Sequence, residues 1–146
     1  MDIKKTANLL INFTIRRLAE IFGIIISVAG TLLLIALVYY SPEDPNFIFP
    51  DNTEIKNILG FHGSFVSDLF FQSIGLISYL VSLTLLITGI NILKTKEFFL
   101  IIENTFYAII YSILGTLFLS HFYSNAFTLY INGNGGFVGN YFNQTF

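Results

Sequence analysis

The stretch that decides the fold is IFGIIISVAGTLLLIALVYY, residues 21–40, which contains no Asp, Glu, Lys or Arg. About 20 consecutive apolar residues in a helix cross the hydrocarbon core of a bilayer, which is roughly 30 Å thick. Residues 69–93 and 104–146 are also free of these charged side chains. We therefore predict transmembrane helices at 21–40, 70–93 and 98–120. The predicted fold class is all-α, a multi-pass transmembrane helical bundle with three spans.

The composition agrees with a membrane protein. Charged residues make up 11% of the 146 residues, hydrophobic residues make up 54%, and cysteine is absent. Soluble domains carry about 25% charged residues. These values exclude a disordered tail, a basic nucleic-acid-binding domain and a disulfide-stapled secreted module. The sequence also shows no catalytic constellation, so we predict no enzyme site, no cofactor and no metal in this chain.

The positive charges predict the orientation in the membrane. Six of the seven Lys and Arg residues lie in segments 1–20 and 94–97, whereas loop 41–69 contains only Lys56. Because short loops rich in Lys and Arg stay in the cytoplasm, we predict a cytoplasmic positive flank at 1–20 and a cytoplasmic turn at 94–97. Loop 41–69 and the Gly/Asn-rich tail 121–146 are then outside. The flank is either solvated, as we predict, or a short interfacial helix near anionic headgroups.

The 41–69 loop carries several signals of local structure. Two prolines within residues 41–45 end the first helix, because proline restricts the backbone at and before its position. We predict a short helix over 52–59, stopped by Gly60. A further helix is expected to start at Ser64 and lead into the second span.

Each predicted span carries a stripe of small residues. In lipid, close approach of backbones along such stripes holds helices together. The sequence leaves open whether the stripes pack within one chain or between copies. The predicted helix-packing positions are Gly23, Ser27, Gly75, Ser78, Ser82, Gly89, Ser112 and Gly115.

Two polar residues within the predicted spans are candidates for a functional role. Glu103 is the one acid well inside a span, and Asn91 lies on the preceding helix. An intramembrane carboxylate is a candidate for ion or proton transfer, so a transporter or channel subunit is an alternative function. The plainer interpretation is that Glu103 reaches the interface or a lysine, and that Asn91 bonds between helices.

Three motifs resemble those of FtsK-type bacterial DNA translocases. Residues 40–47, YSPEDPNF, are similar to the run after the first membrane helix of that family. Residues 57–75 contain N-x-L-G-x-x-G-x-x-x-x-D-x-x-x-Q-x-x-G and are similar to the family's N-x-L-G-x-x-G-A-x-x-A-D-x-x-x-Q-x-x-G entry into its second helix. Residues 135–139, GGFVG, resemble the glycines before its fourth helix. The resemblance covers roughly residues 17–139.

The resemblance implies the N-terminal four-helix domain of a septal DNA translocase in the bacterial inner membrane. Such a segment is a membrane anchor with a role in septal localisation, cell division and chromosome segregation. Its expected partners are the lipid bilayer, cell-division membrane proteins and, in the full-length form, further copies of itself. The implied segment does not itself bind nucleotide or nucleic acid. We expect structural or partner-contact roles in the periplasmic loop for Asp44, Pro45, Gly60, Gly63, Asp68 and Gln72.

The end of the chain departs from the family pattern. Only seven residues follow Gly139, whereas a fourth spanning helix needs about 20. We therefore expect a chain cut short before the fourth helix, with its last residue periplasmic. A small, self-sufficient membrane adaptor is the alternative.

Overall fold

Helices make up all the regular structure in the residues that the computed structural model describes, which are 3–45, 54–123 and 132–145. A single 3-10 turn joins two of them. In chain order the elements are α1 (Ile3–Val38), α2 (Gly60–Ile74), the 3-10 turn (Gly75–Ile77), α3 (Ser78–Thr95), α4 (Phe99–Phe122) and α5 (Gly136–Thr145).

Three helical segments are long and apolar enough to cross a membrane. They are Asn8–Val38, Gly60–Thr95 and Phe99–Phe122. The second segment consists of α2 and α3 together with the turn between them. The predicted all-α bundle with three spans is therefore confirmed.

The first helix starts much earlier than the predicted span. α1 begins at Ile3 and runs through the predicted flank 1–20 without interruption. This segment contains neither Gly nor Pro, so nothing in its backbone ends the helix between the flank and the span. The flank is thus helical and continuous with the first span.

The predicted helix over 52–59 is absent from the part of that range which the structure describes, and the helix that leads into the second span begins earlier than predicted. Residues 54–59 are not helical, and Gly60 begins α2 instead of ending a helix. Ser64 lies inside α2 and does not cap it. A turn closed by the hydrogen bond from Gly60 N to the Asn57 carbonyl, 2.8 Å long, leads into the helix. Positions 52 and 53 lie outside the described residues.

Gly75 breaks the helical path between α2 and α3. Its φ is +60°, which only glycine adopts readily, and a Cβ there would collide with the Asn134 carbonyl. That carbonyl accepts a hydrogen bond from Leu76 N at 2.9 Å. At this break in the second span, the loop before α5 thus supplies the hydrogen-bond acceptor that a continuous helix would provide for Leu76 N.

α1 and α3 form the most extensive helix pair in the described chain. Their backbones are in direct contact. A Cβ at Gly30 would lie 2.5 Å from Leu86 N, and one at Gly89 would meet Ser27 N and Gly23 O. Small residues allow such contact in a membrane, where no hydrophobic force draws helices together.

The largest cluster of buried apolar residues lies where α1, α2 and α3 meet. Leu33, Leu37 and Phe71 form it. The Tyr40 ring packs on Phe71 with a centroid distance of 4.7 Å. We call this end of the bundle the Tyr40 end, and the opposite end, at the α3–α4 turn, the Lys96 end.

We expect Gly30→Val to destabilise the bundle by about 2–3 kcal/mol, because overpacking of a tight contact forces backbones apart. The measurement is the free energy of unfolding in mixed micelles of SDS and a mild detergent. Ala29→Val, at the adjacent exposed position, is the matched control. Equal SDS midpoints for the two variants would contradict a close contact at Gly30.

Candidate functional site

The C-terminal carbonyls of α1 are capped by side chains from later in the chain. Asn57 Nδ2 donates to the Ala36 carbonyl at 2.9 Å, and the Tyr79 hydroxyl donates to the Leu37 carbonyl at 3.1 Å. Carbonyls in the last turn of a helix have no intrahelical partner. An unpaired one facing lipid costs several kcal/mol. Asn57 and Tyr79 therefore hold the end of α1 against α2 and α3.

Asp44 organises the connection between α1 and α2. Its side chain is only 4% exposed, and its two carboxylate oxygens accept the backbone N–H groups of Lys56 and Asn57 at 2.9 and 2.8 Å. The neighbouring Pro45 carbonyl accepts the Ser64 hydroxyl at 3.0 Å. An ionised carboxylate forms strong hydrogen bonds with backbone donors. Asp44 and Pro45 thus fix the start of the connection to its end.

The two predicted loop glycines have different surroundings. Gly60, at the start of α2, has open space where a Cβ would be, but its φ is +66°. Gly63 is buried, and a Cβ there would lie 2.6 Å from Leu59 Cβ and against Asn57 Oδ1. Gly63 therefore leaves room for the Asn57 side chain that caps α1.

A series of hydrogen bonds crosses the Tyr40 end, and we call it the polar chain. The Tyr40 hydroxyl donates to Asp68 Oδ1 at 3.1 Å, and Gln72 Nε2 approaches the same oxygen at 3.4 Å. Gln72 Oε1 accepts Asn132 Nδ2 at 3.1 Å. These bonds join the end of α1 to α2 and to the segment before α5.

The polar chain continues to α5 and α4. Asn140 Nδ2 donates to the Asn132 carbonyl at 2.6 Å, and the Ser120 hydroxyl donates to Asn140 Oδ1 at 3.2 Å. Four helices are therefore connected at one end of the bundle. The members of the polar chain are Tyr40, Asp68, Gln72, Asn132, Asn140 and Ser120.

Several side chains of the connection between α1 and α2 and of the start of α2 are exposed. Ile55, Ile58 and Phe61 are 40%, 64% and 44% exposed. Glu43 and Lys56 form an exposed ion pair next to them, which lowers the pKa of the Glu43 carboxyl and raises the pKa of the Lys56 ammonium. Such an exposed pair adds little stability. We call these five residues the end patch.

The predicted helix-packing serines and glycines lie at several contacts. Ser78 and Ser82 are fully buried and donate to the carbonyls of Gly75 and Tyr79, at 2.6 and 2.8 Å. A Cβ at Gly115 of α4 would lie 2.6 Å from Ile77 Cδ1. Gly115 therefore lets α4 approach the bend in the second span.

The predicted intramembrane polar residues do not meet. Asn91 is half-buried on α3, and Glu103 is exposed on α4. A cleft of about 320 Å³ separates α3 from α4, and neither side chain lines it. Ser112 is among the lining residues.

Other residues bridge the cleft between α3 and α4. Asn104 Nδ2 donates to Thr88 Oγ1 at 2.8 Å, and the hydroxyls of Tyr111 and Thr84 are 2.8 Å apart. Asn104, the neighbour of Glu103, thus makes a hydrogen bond between α3 and α4, and a bond between helices from Asn91 stays a prediction.

An acid for which the sequence predicted no role, Glu20, holds the Lys96 end together. Glu20 of α1 pairs with Lys96 in the α3–α4 turn at 3.0 Å and with Arg17 at 2.6 Å. The rings of Phe22 and Phe98 meet edge to face with centroids 5.4 Å apart. Glu20 precedes the apolar stretch directly, so its position at the edge of the span was the available signal.

Sequence reasoning also missed the role of Asn57. It belongs to the motif of residues 57–75 but was not selected as a site residue, because an asparagine in a loop usually caps its own turn. Here it does so, accepting Leu59 N at 3.1 Å, and it also reaches the end of α1.

Among the described residues, no three of His, Cys, Asp and Glu lie close enough to hold a metal ion.

Comparisons with known proteins agree with this architecture. Residues 15–146 match the family described as the 4TM region of DNA translocase FtsK/SpoIIIE. DNA translocase FtsK of Caulobacter vibrioides is 35% identical over 73 residues, covering 50% of this chain and 9% of that protein. The FtsK proteins of Azospirillum brasilense and Rickettsia bellii are 26% and 25% identical over 112 and 118 residues.

The matched part is a small fraction of these relatives. The alignments cover 75% and 81% of this chain but only 17% and 15% of the Azospirillum and Rickettsia proteins. No solved structure matches the chain. The family match covers most of the chain, and the structure is a helical membrane bundle, as the family description implies. α5 starts at the glycines that resemble those before the fourth helix of the family. The chain therefore belongs to the FtsK/SpoIIIE family of DNA translocases and is part of their transmembrane region.

Proposed function

We propose that this segment anchors an FtsK-type DNA translocase in the bacterial inner membrane and localises it to the division septum. In this proposal, cell-division membrane proteins contact the Tyr40 end, and further copies of the full-length protein assemble beside it. The observation that carries the proposal is the construction of the Tyr40 end. Buried Asp44 holds the backbone of Lys56, which belongs to the end patch, and of the buried Asn57. The polar chain connects four helices at the same end of the bundle.

The described residues support a positional role. The relatives are named DNA translocases, and the matched segment is their transmembrane region. Neither Asn91 nor Glu103 lines the cleft between α3 and α4, so this cleft gives no support to a transport path through these two residues. Burial of three spans in lipid would hold an attached motor at the membrane, and the end patch would determine where in the membrane it stays.

The orientation of the segment is part of the proposal. Arg16, Arg17, Lys94 and Lys96 lie at or beyond the Lys96 end, and Lys56 lies at the Tyr40 end. The bias of Lys and Arg favours a cytoplasmic Lys96 end. The end patch would then face the periplasm, as would α5.

Two single-cysteine variants test this orientation, because the natural chain contains no cysteine. Glu54→Cys and Glu97→Cys place thiols at exposed positions of the two ends. We expect a membrane-impermeant maleimide added to intact spheroplasts to label position 54 and not position 97, until the membrane is opened. Labelling of position 97 first would reverse the topology.

We expect Asp68→Ala to lower the septal fraction of a full-length translocase that carries this segment. The substitution removes the acceptor shared by Tyr40 and Gln72 and costs about 1–3 kcal/mol. Asp68→Asn is the control, because its amide oxygen still accepts from Tyr40. The measurement is fluorescence at the septum at matched protein abundance. Unchanged septal fluorescence of Asp68→Ala would rule out a role for the polar chain in localisation.

We expect Ile58→Asp to reduce septal recruitment without reducing abundance, because the side chain is exposed and packs little of its own fold. A charge in the middle of a contact surface lowers affinity by roughly tenfold, or about 1.4 kcal/mol. Ile58→Val keeps the apolar surface and should behave as wild type. Normal recruitment of Ile58→Asp would show that the partner binds elsewhere.

A further inference from the structure

The first helix extends well beyond the bundle at the Lys96 end. The contacts of Glu20 with Lys96 and of Phe22 with Phe98 mark the last place where α1 meets the α3–α4 turn. Residues 3–19 precede that point and extend α1 by about 26 Å at 1.5 Å per residue. Every described side chain from Asn8 to Leu18 is exposed.

This extension has an apolar surface that its own chain leaves uncovered. Its six large hydrophobic side chains are between 46% and 64% exposed. Leaving them in water is unfavourable in proportion to their area. An exposed patch of this kind usually marks contact with a membrane or a protein. The six residues are Leu9, Leu10, Ile11, Phe13, Ile15 and Leu18.

The charges decide which surface covers it. Residues 3–19 contain Lys4, Lys5, Arg16 and Arg17 and no acid. Arg17 is engaged within the helix, since it pairs with Glu20 and its guanidinium lies 5.1 Å from the centre of the Phe13 ring. A second copy of the same helix would bring like charges together, whereas an anionic lipid surface would attract them.

We propose that residues 3–19 of α1 bind the anionic headgroups of the membrane leaflet at the Lys96 end. The hydrophobic side chains enter the boundary between headgroups and acyl chains, as in interfacial helices. α1 as a whole is about 54 Å long, far more than the roughly 30 Å of the hydrocarbon core. Tilt or bending of an overlong helix brings its extra turns to the interface.

The absence of tryptophan from the natural chain allows a direct test. Phe13→Trp places a single fluorophore on the extension, in the full chain reconstituted into phosphatidylcholine vesicles. Two vesicle preparations are compared, and in each a minor fraction of the lipid carries bromine near the top of its acyl chains. The brominated lipid is phosphatidylglycerol in one preparation and phosphatidylcholine in the other. Leu32→Trp, at an exposed position within the span, is the matched control and should be quenched equally by both brominated lipids.

We expect the indole emission of the Phe13→Trp variant to be blue-shifted and to be quenched preferentially by the brominated phosphatidylglycerol. The preference should correspond to about fivefold tighter association per participating Lys or Arg. It should disappear when Lys4, Lys5 and Arg16 are all changed to Gln. Since both leaflets have the same composition, the result does not depend on the orientation or the septal role of the segment.

Three outcomes would overturn the proposal. Strong quenching of the Phe13→Trp variant by acrylamide in water, with none by brominated lipid, would place the extension in solvent. Equal quenching by the two brominated lipids would mean apolar insertion without recognition of anionic headgroups. Protection from both acrylamide and brominated lipid would mean that protein covers the extension, as in an assembly of copies.

Discussion

Close contact between the backbones of α1 and α3 is the constraint on which the rest of the structure depends. In lipid, an apolar side chain gains nothing by leaving one hydrocarbon surface for another. Gly30 and Gly89 instead remove the side chains that would hold the two helices apart. Because these side chains are absent, dispersion forces act between the two helices along their length. The position of α1 against α3 in turn fixes the positions of both ends of the bundle.

The polar groups at the Tyr40 end follow from that pairing. α1 ends next to the start of α3, and the carbonyls of its last turn lack partners within the helix. Asn57 and Tyr79 satisfy two of them because the α1–α3 contact brings these side chains within reach. Asp44 in turn holds Asn57 by its backbone. The shape of the Tyr40 end is therefore determined by the packing of the helices.

The sequence predicted the spans well and the details between them poorly. Charge-free runs such as 21–40 reveal membrane helices because the cost of burying charge in lipid dominates all local preferences. Around Gly60 the local preferences mislead. A glycine after a polar stretch normally ends a helix, but here the turn closed by Asn57 makes Gly60 a beginning. Asn57 is itself held by Asp44 and by the Ala36 carbonyl, which are distant in sequence. The Glu20–Lys96 pair and the Asn104–Thr88 bond also join residues distant in sequence.

The bend at Gly75 has a consequence for the order in which the molecule assembles. The groups that fill it belong to Asn134 and Gly136, about 60 residues later in the chain. Until those residues have been synthesised and have docked, the space beside Gly75 lacks the groups that fill it in the structure. The backbone N–H of Leu76 likewise lacks the acceptor that it has in the structure until the Asn134 carbonyl is in place. The second span is thus completed by a segment that follows α4 in the sequence, and the bend at Gly75 takes its final form only when that segment is in place.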